Sequence, residues 1–183
     1  PNDSACAETC AAIGLFIFPI RMAQLDNDAT YVDVAERALY NGVISGLSQD
    51  GEHFFYVNPL EVVPEVCDTN GTYAHVKYQR QSWYGCACCP PNIARILASL
   101  GDYATRVAGS TLYVDLFMNS RISAELDAGT LSLELAGNYP WDGNISLTVT
   151  DAPSQSVQIA VRLPRWCDDP NLRVNGEPVK LEQ

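Results

Sequence analysis

The run Cys88-Cys89-Pro90-Pro91-Asn92-Ile93-Ala94-Arg95-Ile96-Leu97-Ala98-Ser99-Leu100-Gly101-Asp102-Tyr103-Ala104-Thr105-Arg106-Val107-Ala108-Gly109-Ser110-Thr111-Leu112-Tyr113-Val114 is where this chain changes its structural period. From Asn92 to Val107, the residues Ile93, Ile96, Leu97, Leu100, Ala104 and Val107 recur at three- and four-residue intervals, the spacing of one buried helical face. Beyond Gly109 the interval falls to two. Leu112 and Val114 alternate with polar neighbours, as do Leu131, Leu133 and Leu135, then Ile145, Leu147 and Val149, then Val157, Ile159, Val161 and Leu163. Turn-forming Asp142-Gly143-Asn144, Asp151-Ala152-Pro153 and Asn175-Gly176 separate these runs. The alternation predicts an antiparallel β-sandwich with one buried face per sheet. The chain therefore reads as α+β, with a helical part over residues 1–109 and an incomplete sandwich over 110–183.

Upstream of the switch, Tyr31 to Val43 follows a turn-like Asp26-Asn27-Asp28 that can cap a helix. Asp50-Gly51 leads into Phe54-Phe55-Tyr56-Val57-Asn58-Pro59, which reads as a short hairpin among the helices. Glu8 to Phe18 forms the first helical segment, and Pro19 is expected to kink or end it.

The 183 residues fit one medium domain or two small ones, and 47% hydrophobic residues suffice for a packed core. No run approaches the roughly 18 apolar residues of a membrane-spanning helix, so no membrane partner is expected. The opening Pro1-Asn2-Asp3-Ser4-Ala5-Cys6-Ala7-Glu8 has neither a basic segment nor a long apolar stretch, so it is not a secretory signal. It also lacks an initiator Met, as a fragment or a processed form would. A formal charge of −11 with no Lys/Arg cluster argues against nucleic acid, whose phosphates need a basic footprint, and suits a neutral ligand. Solubility alone explains the acidity equally well. The odd number and irregular spacing of seven cysteines do not suit a secreted disulfide framework, which predicts a reduced, cytoplasmic protein.

Cys88 and Cys89 are adjacent, so their Cα atoms lie about 3.8 Å apart, closer than the roughly 4.4 Å that a relaxed disulfide needs. Two thiols on a tight turn before a helix suggest a metal site, a reactive thiolate, or both. Near the N-terminus, Glu8 and Cys10 are two residues apart. In a helix they would face nearly opposite ways, whereas extended backbone points them together. A shared ion thus requires a non-helical Glu8, with the helix beginning near Cys10 and Thr9 or a neighbour capping it. Glu8, Cys10, Cys88 and Cys89 then supply one carboxylate and three thiolates, a tetrahedral zinc set too soft for magnesium or calcium. Cys86 is an alternative ligand. Structural zinc, a catalytic thiol and simple buried cysteines all remain open on the residues alone.

Three segments, in this order, carry a resemblance: Ala7-Glu8-Thr9-Cys10-Ala11-Ala12-Ile13-Gly14-Leu15, Ala35-Glu36-Arg37-Ala38-Leu39-Tyr40-Asn41-Gly42 and Cys88-Cys89-Pro90-Pro91-Asn92-Ile93-Ala94-Arg95. They resemble glycoside hydrolase family 127, the β-L-arabinofuranosidases. The resemblance implies late helices of an (α/α)₆ barrel followed by β-sandwich, and a retaining glycosidase acting on an arabinofuranoside-type carbohydrate. It implies zinc held by Glu8, Cys10, Cys88 and Cys89, with Cys88 as nucleophile and Glu36 and Tyr56 touching the sugar. The family's general acid, a glutamate, lies further upstream of Glu-Thr-Cys than the seven residues before Glu8. The chain is therefore expected to be inactive alone, and its uncovered barrel faces favour self-association into a homo-oligomer. Of its two histidines, His53 and His75, neither matches a family motif. Trp83 and Tyr84 read either as a sugar platform or as core aromatics. Two other readings compete: a non-catalytic carbohydrate-binding or interaction module with structural zinc, and a thiol redox sensor using Cys86, Cys88 and Cys89.

Overall fold

The computed structural model describes residues 2–181 except 68, 70 and 72. Helix α1 (Thr9–Ala23) packs on α2 (Ala29–Ala38), and α3 (Cys89–Ala98) packs on α1. Ile13, Phe16, Ile20 and Ala23 of α1 recur at three, four and three residues and are all fully buried. A fully buried side chain of the size of Phe16 contributes about 1.5–3 kcal/mol. This stripe carries the helix through Pro19, which is itself buried within α1 and does not end it near Phe18. The burial of Ile20 and Ala23 beyond the proline keeps the last turn helical despite the lost N–H. The Asp28 carboxylate accepts from the Thr30 N–H at 2.8 Å and caps α2, as its sequence suggests. After Ala38 the chain widens into a π-turn over Leu39–Val43 and tightens into a 3₁₀ turn over Ile44–Gly46.

Helix α3 departs from expectation at both ends. It starts at Cys89, before Asn92, because Pro90 and Pro91 occupy its first turn, where a missing N–H costs nothing. It stops at Ala98, well short of Val107. Leu100–Tyr103 forms a 3₁₀ turn, and the Ala104 carbonyl accepts from the Asp115 and Leu116 N–H groups, which draws the chain into a sheet. Val107 lies in strand β1 (Thr105–Ala108), paired with Leu112. The expected hairpin at Phe54–Pro59 is a set of single bridges instead: Phe54 to Leu47 and Gln81, and Val57 to Glu8.

The two-residue period locates the strands at Thr111–Val114, Gly129–Gly137, Ile145–Asp151 and Gln158–Val161 and passes over the one at Ser120–Leu126. β1 pairs antiparallel with β2 (Thr111–Val114), and β6 (Gln158–Val161) pairs with β2 in parallel. That parallel pair makes the sheet mixed, not wholly antiparallel as expected. The reason lies in the connection. The chain leaves β2, builds a separate antiparallel meander of β3 (Ser120–Leu126), β4 (Gly129–Gly137) and β5 (Ile145–Asp151), and returns along the free edge of β2. Leu112 and Val114 from the mixed sheet are buried in two clusters with Leu131, Leu133 and Leu135 of β4. β7 (Leu172–Val174) and β8 (Glu177–Val179) form a hairpin across Asn175-Gly176, whose φ values of 52° and 85° suit a tight primed turn.

Two arginines tie the strands to the helices. Arg106 of β1 bonds to Asp115, to the Ala23 carbonyl and to Asn27. Arg162, just after β6, donates to the Asp115 carbonyl, to Asp33 and to Glu36. Among the described residues no helix is long and apolar enough to cross a membrane.

Candidate metal centre

Glu8 sits just before α1 with φ −62° and ψ 137°, an extended geometry, while Cys10 lies in the first helical turn. This break in backbone conformation is the condition a shared ion imposes on residues two apart. The strand-like segment 55–58 holds it in place. The Thr9 N–H donates to the Tyr56 carbonyl at 2.9 Å, the Asn58 N–H to the Ala7 carbonyl at 2.8 Å, and the buried Thr9 hydroxyl to the Phe55 carbonyl at 3.0 Å. Thr9 therefore spends its hydroxyl on a long-range contact and does not cap the helix, as it was expected to. The Asn58 amide reaches the Thr9 hydroxyl and the Gly42 carbonyl at 3.3 and 3.4 Å, joining α1, the 55–58 segment and the π-turn. Gly42 is required by the helix crossing: a Cβ there would stand 2.6 Å from the Ala12 Cβ.

Cys88 immediately precedes α3 and Cys89 is its first residue. The four ligand atoms of Glu8, Cys10, Cys88 and Cys89 lie within 4.8 Å of one another. Cys10 and Cys89 sulfurs are 3.9 Å apart, Cys88 and Cys89 3.6 Å, and Cys88 Sγ is 3.7 Å from a Glu8 oxygen. None of these pairs is a disulfide, and all seven cysteines are free. A tetrahedral ion with metal–sulfur bonds near 2.3 Å implies sulfur–sulfur edges of about 3.8 Å and sulfur–oxygen edges of about 3.6 Å. The donor set fits zinc in both kind and spacing. Cys89 is fully buried and Cys88 and Glu8 are partly so. Burial, then the hydrogen bond with Cys88 and the charges of Cys10 and Cys88, pushes the Cys89 thiol well above its usual range. A metal entering here must displace that proton.

Tyr56 belongs to this centre: its hydroxyl is 3.6 Å from Cys88 Sγ. The contact with Cys88, then burial, then a contact with Cys86, raises its hydroxyl above the ordinary tyrosine value. Cys86 is exposed and stands outside the four-ligand group. The Tyr56 ring stacks on His75 at 4.3 Å and 27°. No motif or local period singles out His75, because the contact is made only when two loops meet. Tyr84 is a core aromatic, buried against Phe54 and Tyr56, whereas Trp83 is largely exposed. His53 belongs to the exposed turn at Asp50-Gly51-Glu52.

Glu36 is not drawn into this cluster by its contacts. Its carboxylate is buried against Arg162, and it lines a cleft that none of the four candidate ligands lines but that shares Val34, Arg37 and Asn41 with the hollow beside Glu8.

The model of the beta-L-arabinofuranosidase GH127 catalytic domain matches residues 1–102, and that of the GH127 middle domain matches residues 111–183. A non-reducing end beta-L-arabinofuranosidase of Bifidobacterium longum subsp. longum is 40% identical over 184 residues, covering 97% of this chain and 27% of its own length. The crystal structure of a GH127 beta-L-arabinofuranosidase from Geobacillus stearothermophilus T6 superposes with a TM-score of 0.90 at 46% identity, covering 98% of this chain and 28% of that one. A second solved GH127 beta-arabinofuranosidase gives a TM-score of 0.86 at 36% identity, covering 100% of this chain and 30% of its own. The chain thus spans little more than a quarter of the length of these relatives.

Proposed function

Because the chain belongs to glycoside hydrolase family 127, we propose that Glu8, Cys10, Cys88 and Cys89 hold one zinc ion and that Cys88 is the nucleophile of a retaining β-L-arabinofuranosidase. The observation that carries this reading is the convergence of one carboxylate and three thiols within 4.8 Å, with neighbouring sulfurs spaced as a tetrahedral site needs. Zinc bound there keeps the thiols deprotonated near neutral pH. Cys88 suits attack better than Cys89, since it is only partly buried and borders Tyr56. In the first step the Cys88 sulfur forms a bond to the anomeric carbon as the bond to the leaving oxygen breaks. In the second, water displaces the sulfur, and two inversions give retention.

The leaving oxygen needs a proton from a general acid. By the resemblance that acid is a glutamate upstream of Glu-Thr-Cys, beyond the seven residues before Glu8, and none of the carboxylates described here is assigned the role. These 183 residues alone are accordingly proposed not to turn over an unactivated arabinofuranoside. Tyr56 faces the sugar at Cys88. The helices over 1–109 are proposed to be late helices of an (α/α)₆ barrel and the sheets over 110–183 a β-sandwich. The change of period near Gly109 supports that division, as do the clusters of Leu112 and Val114 with Leu131, Leu133 and Leu135, while Leu116 packs into the helical cluster across the boundary. The odd number and irregular spacing of the seven cysteines support a reducing compartment such as the cytoplasm.

The test combines metal analysis with labelling. Reduced protein should carry a single zinc per chain, lost in Cys10→Ala and Cys89→Ala and largely kept in Cys88→Ser. An aryl β-L-arabinofuranoside whose leaving group departs without protonation should place a single pentosyl unit on Cys88. Metal-free wild type, or a label on another residue, would remove the assignment.

A further inference from the structure

The three sulfurs of the cluster stand close enough to react with one another as well as with an ion. Cys88 Sγ lies 3.6 Å from Cys89 Sγ, and Cys10 Sγ lies 3.9 Å from Cys89 Sγ. A disulfide holds its sulfurs at about 2.05 Å and its Cα atoms roughly 4.4 to 6.8 Å apart. The first pair fails on the backbone, because consecutive residues keep their Cα atoms about 3.8 Å apart. The second pair carries no such restraint. Cys10 lies in the first turn of α1 and Cys89 opens α3, and these helices pack on each other. Closing their sulfurs by about 1.9 Å is within the swing of two Cβ–Sγ bonds. The two thiols also differ in access: Cys10 is partly exposed and Cys89 is fully buried.

From these distances we infer that the metal-free cluster is a site of oxidative modification, at which a hydroperoxide joins Cys10 to Cys89 and closes the site to zinc. The inference concerns regulation of the proposed metal centre and rests on the zinc reading for its protective half. Cys10, the accessible partner, reacts first. Its sulfur attacks one oxygen of hydrogen peroxide, the O–O bond breaks, and a sulfenic acid and one water result. The Cys89 sulfur then attacks the Cys10 sulfur, the S–O bond breaks, and the departing hydroxide leaves as a second water with the Cys89 proton. Two thiols lose two electrons and the peroxide gains them. Bound zinc slows both steps, since it shares the sulfur lone pairs that attack requires and holds the sulfurs about 3.8 Å apart. Once the disulfide forms, Glu8 and Cys88 remain as one carboxylate and one thiol, too few donors for a four-coordinate ion. A dithiol reductant reverses the modification.

The experiment treats the reduced 183-residue chain with hydrogen peroxide, once after removal of metal by a chelator and once after loading with zinc. Remaining thiols are capped with iodoacetamide in denaturant, and the peptides are mapped by mass spectrometry. The metal-free chain should yield a peptide linking Cys10 to Cys89, with Cys88 capped, and dithiothreitol should abolish the link. The zinc-loaded chain should form it about tenfold or more slowly, and the linked chain should take up no zinc until it is reduced. Cys88→Ser and Cys86→Ser should both still form the link. The decisive readout is the linked peptide of the wild type, so no variant has to fold for the proposal to fail. Four results would overturn it: a link from Cys88 to Cys86 or to Cys89 instead, sulfinic acid with no link to Cys10, equal rates with and without zinc, or full zinc uptake by the linked chain. Zinc loading and Cys88 labelling are measured on reduced protein, so a missing link leaves them standing. A chain that takes up no zinc when reduced fails the zinc reading instead, and the link in the metal-free chain is scored independently of it.

Discussion

Replacing Arg162 with methionine should destabilise the protein by about 3–5 kcal/mol, the cost of breaking a buried ion pair from one side. The figure follows from what the guanidinium holds. Its side chain is 2% exposed, and its partners Glu36 and Asp33 are 7% and 11% exposed. A third bond goes to the Asp115 carbonyl at 2.7 Å, so one side chain joins α2 to the segment leaving β2. Burial by itself would lower the pKa of Arg162. The charge and hydrogen bond of Glu36, then those of Asp33, outweigh it and hold the group above its ordinary value. Charge-assisted bonds of this kind are worth about 1.5–3 kcal/mol each, and methionine fills similar volume but leaves two buried carboxylates without a cation. With a urea slope near 2 kcal/mol/M, the midpoint should fall by about 2 M. The double variant Arg162→Met/Glu36→Gln removes one stranded charge and should be less destabilised than the sum of its parts, by about 0.5–3 kcal/mol. A loss under about 1 kcal/mol, or strict additivity in the double variant, would show that Arg162 does not tie the helices to the sheets in the way argued.

Gly42→Ala should cost about 1–3 kcal/mol, since its new methyl would meet the Ala12 Cβ at 2.6 Å and neither atom can swing aside; thermal melts should show the loss, and Ala12→Gly should restore most of it. Asn58→Ala removes the amide that links Thr9 to the Gly42 carbonyl and should weaken zinc binding by about 10–100-fold in a chelator competition, as loss of a ligand-orienting contact does; an unchanged affinity would refute that role. The metal-free chain should lose stability as pH rises above the unfolded thiol value near 8.5, because the folded Cys89 thiol is raised by burial and so binds its proton more tightly than the unfolded one does. That contribution is complete below the unfolded value and fades above it, so urea midpoints measured upward from pH 8 should fall, and Cys89→Ala should flatten the early part of the decline. Midpoints that climb instead would contradict the sign.

The site was legible because its chemistry is carried by residue type in short motifs. Glu8-Thr9-Cys10 and Cys88-Cys89-Pro90-Pro91 offer one carboxylate and three thiols, and a shared site for Glu8 and Cys10, two residues apart, calls for the extended-to-helical break that is found there. What holds that break was not legible. Asn58, Thr9 and Gly42 act through contacts across 16 to 49 positions, and no local period marks them. His75, which matches no motif, stands exposed in a turn, and only its stacking on Tyr56 comes from a long-range contact. The C-terminal end of α3 was misread because Leu100, Ala104 and Val107 keep helical spacing by coincidence; the ladder with β2 claims Val107 once the sheet forms. The parallel pairing of β6 with β2 likewise depends on which edge is free when the chain returns, a matter of topology and not of alternation.

By itself the amino-acid sequence determined the donor types of the candidate site, the change from a helical to a two-residue period near Gly109, and the turns between strands, since all of these depend on neighbours within a few positions. Only the tertiary structure decided that Cys10 and Cys89, 79 positions apart, come within 3.9 Å, that Arg162 locks α2 to the sheet, and that exposed tryptophans from separate loops line a cleft with Glu36. Those outcomes rest on long-range packing, in which the free energy belongs to the contact between distant segments and is carried by neither segment alone.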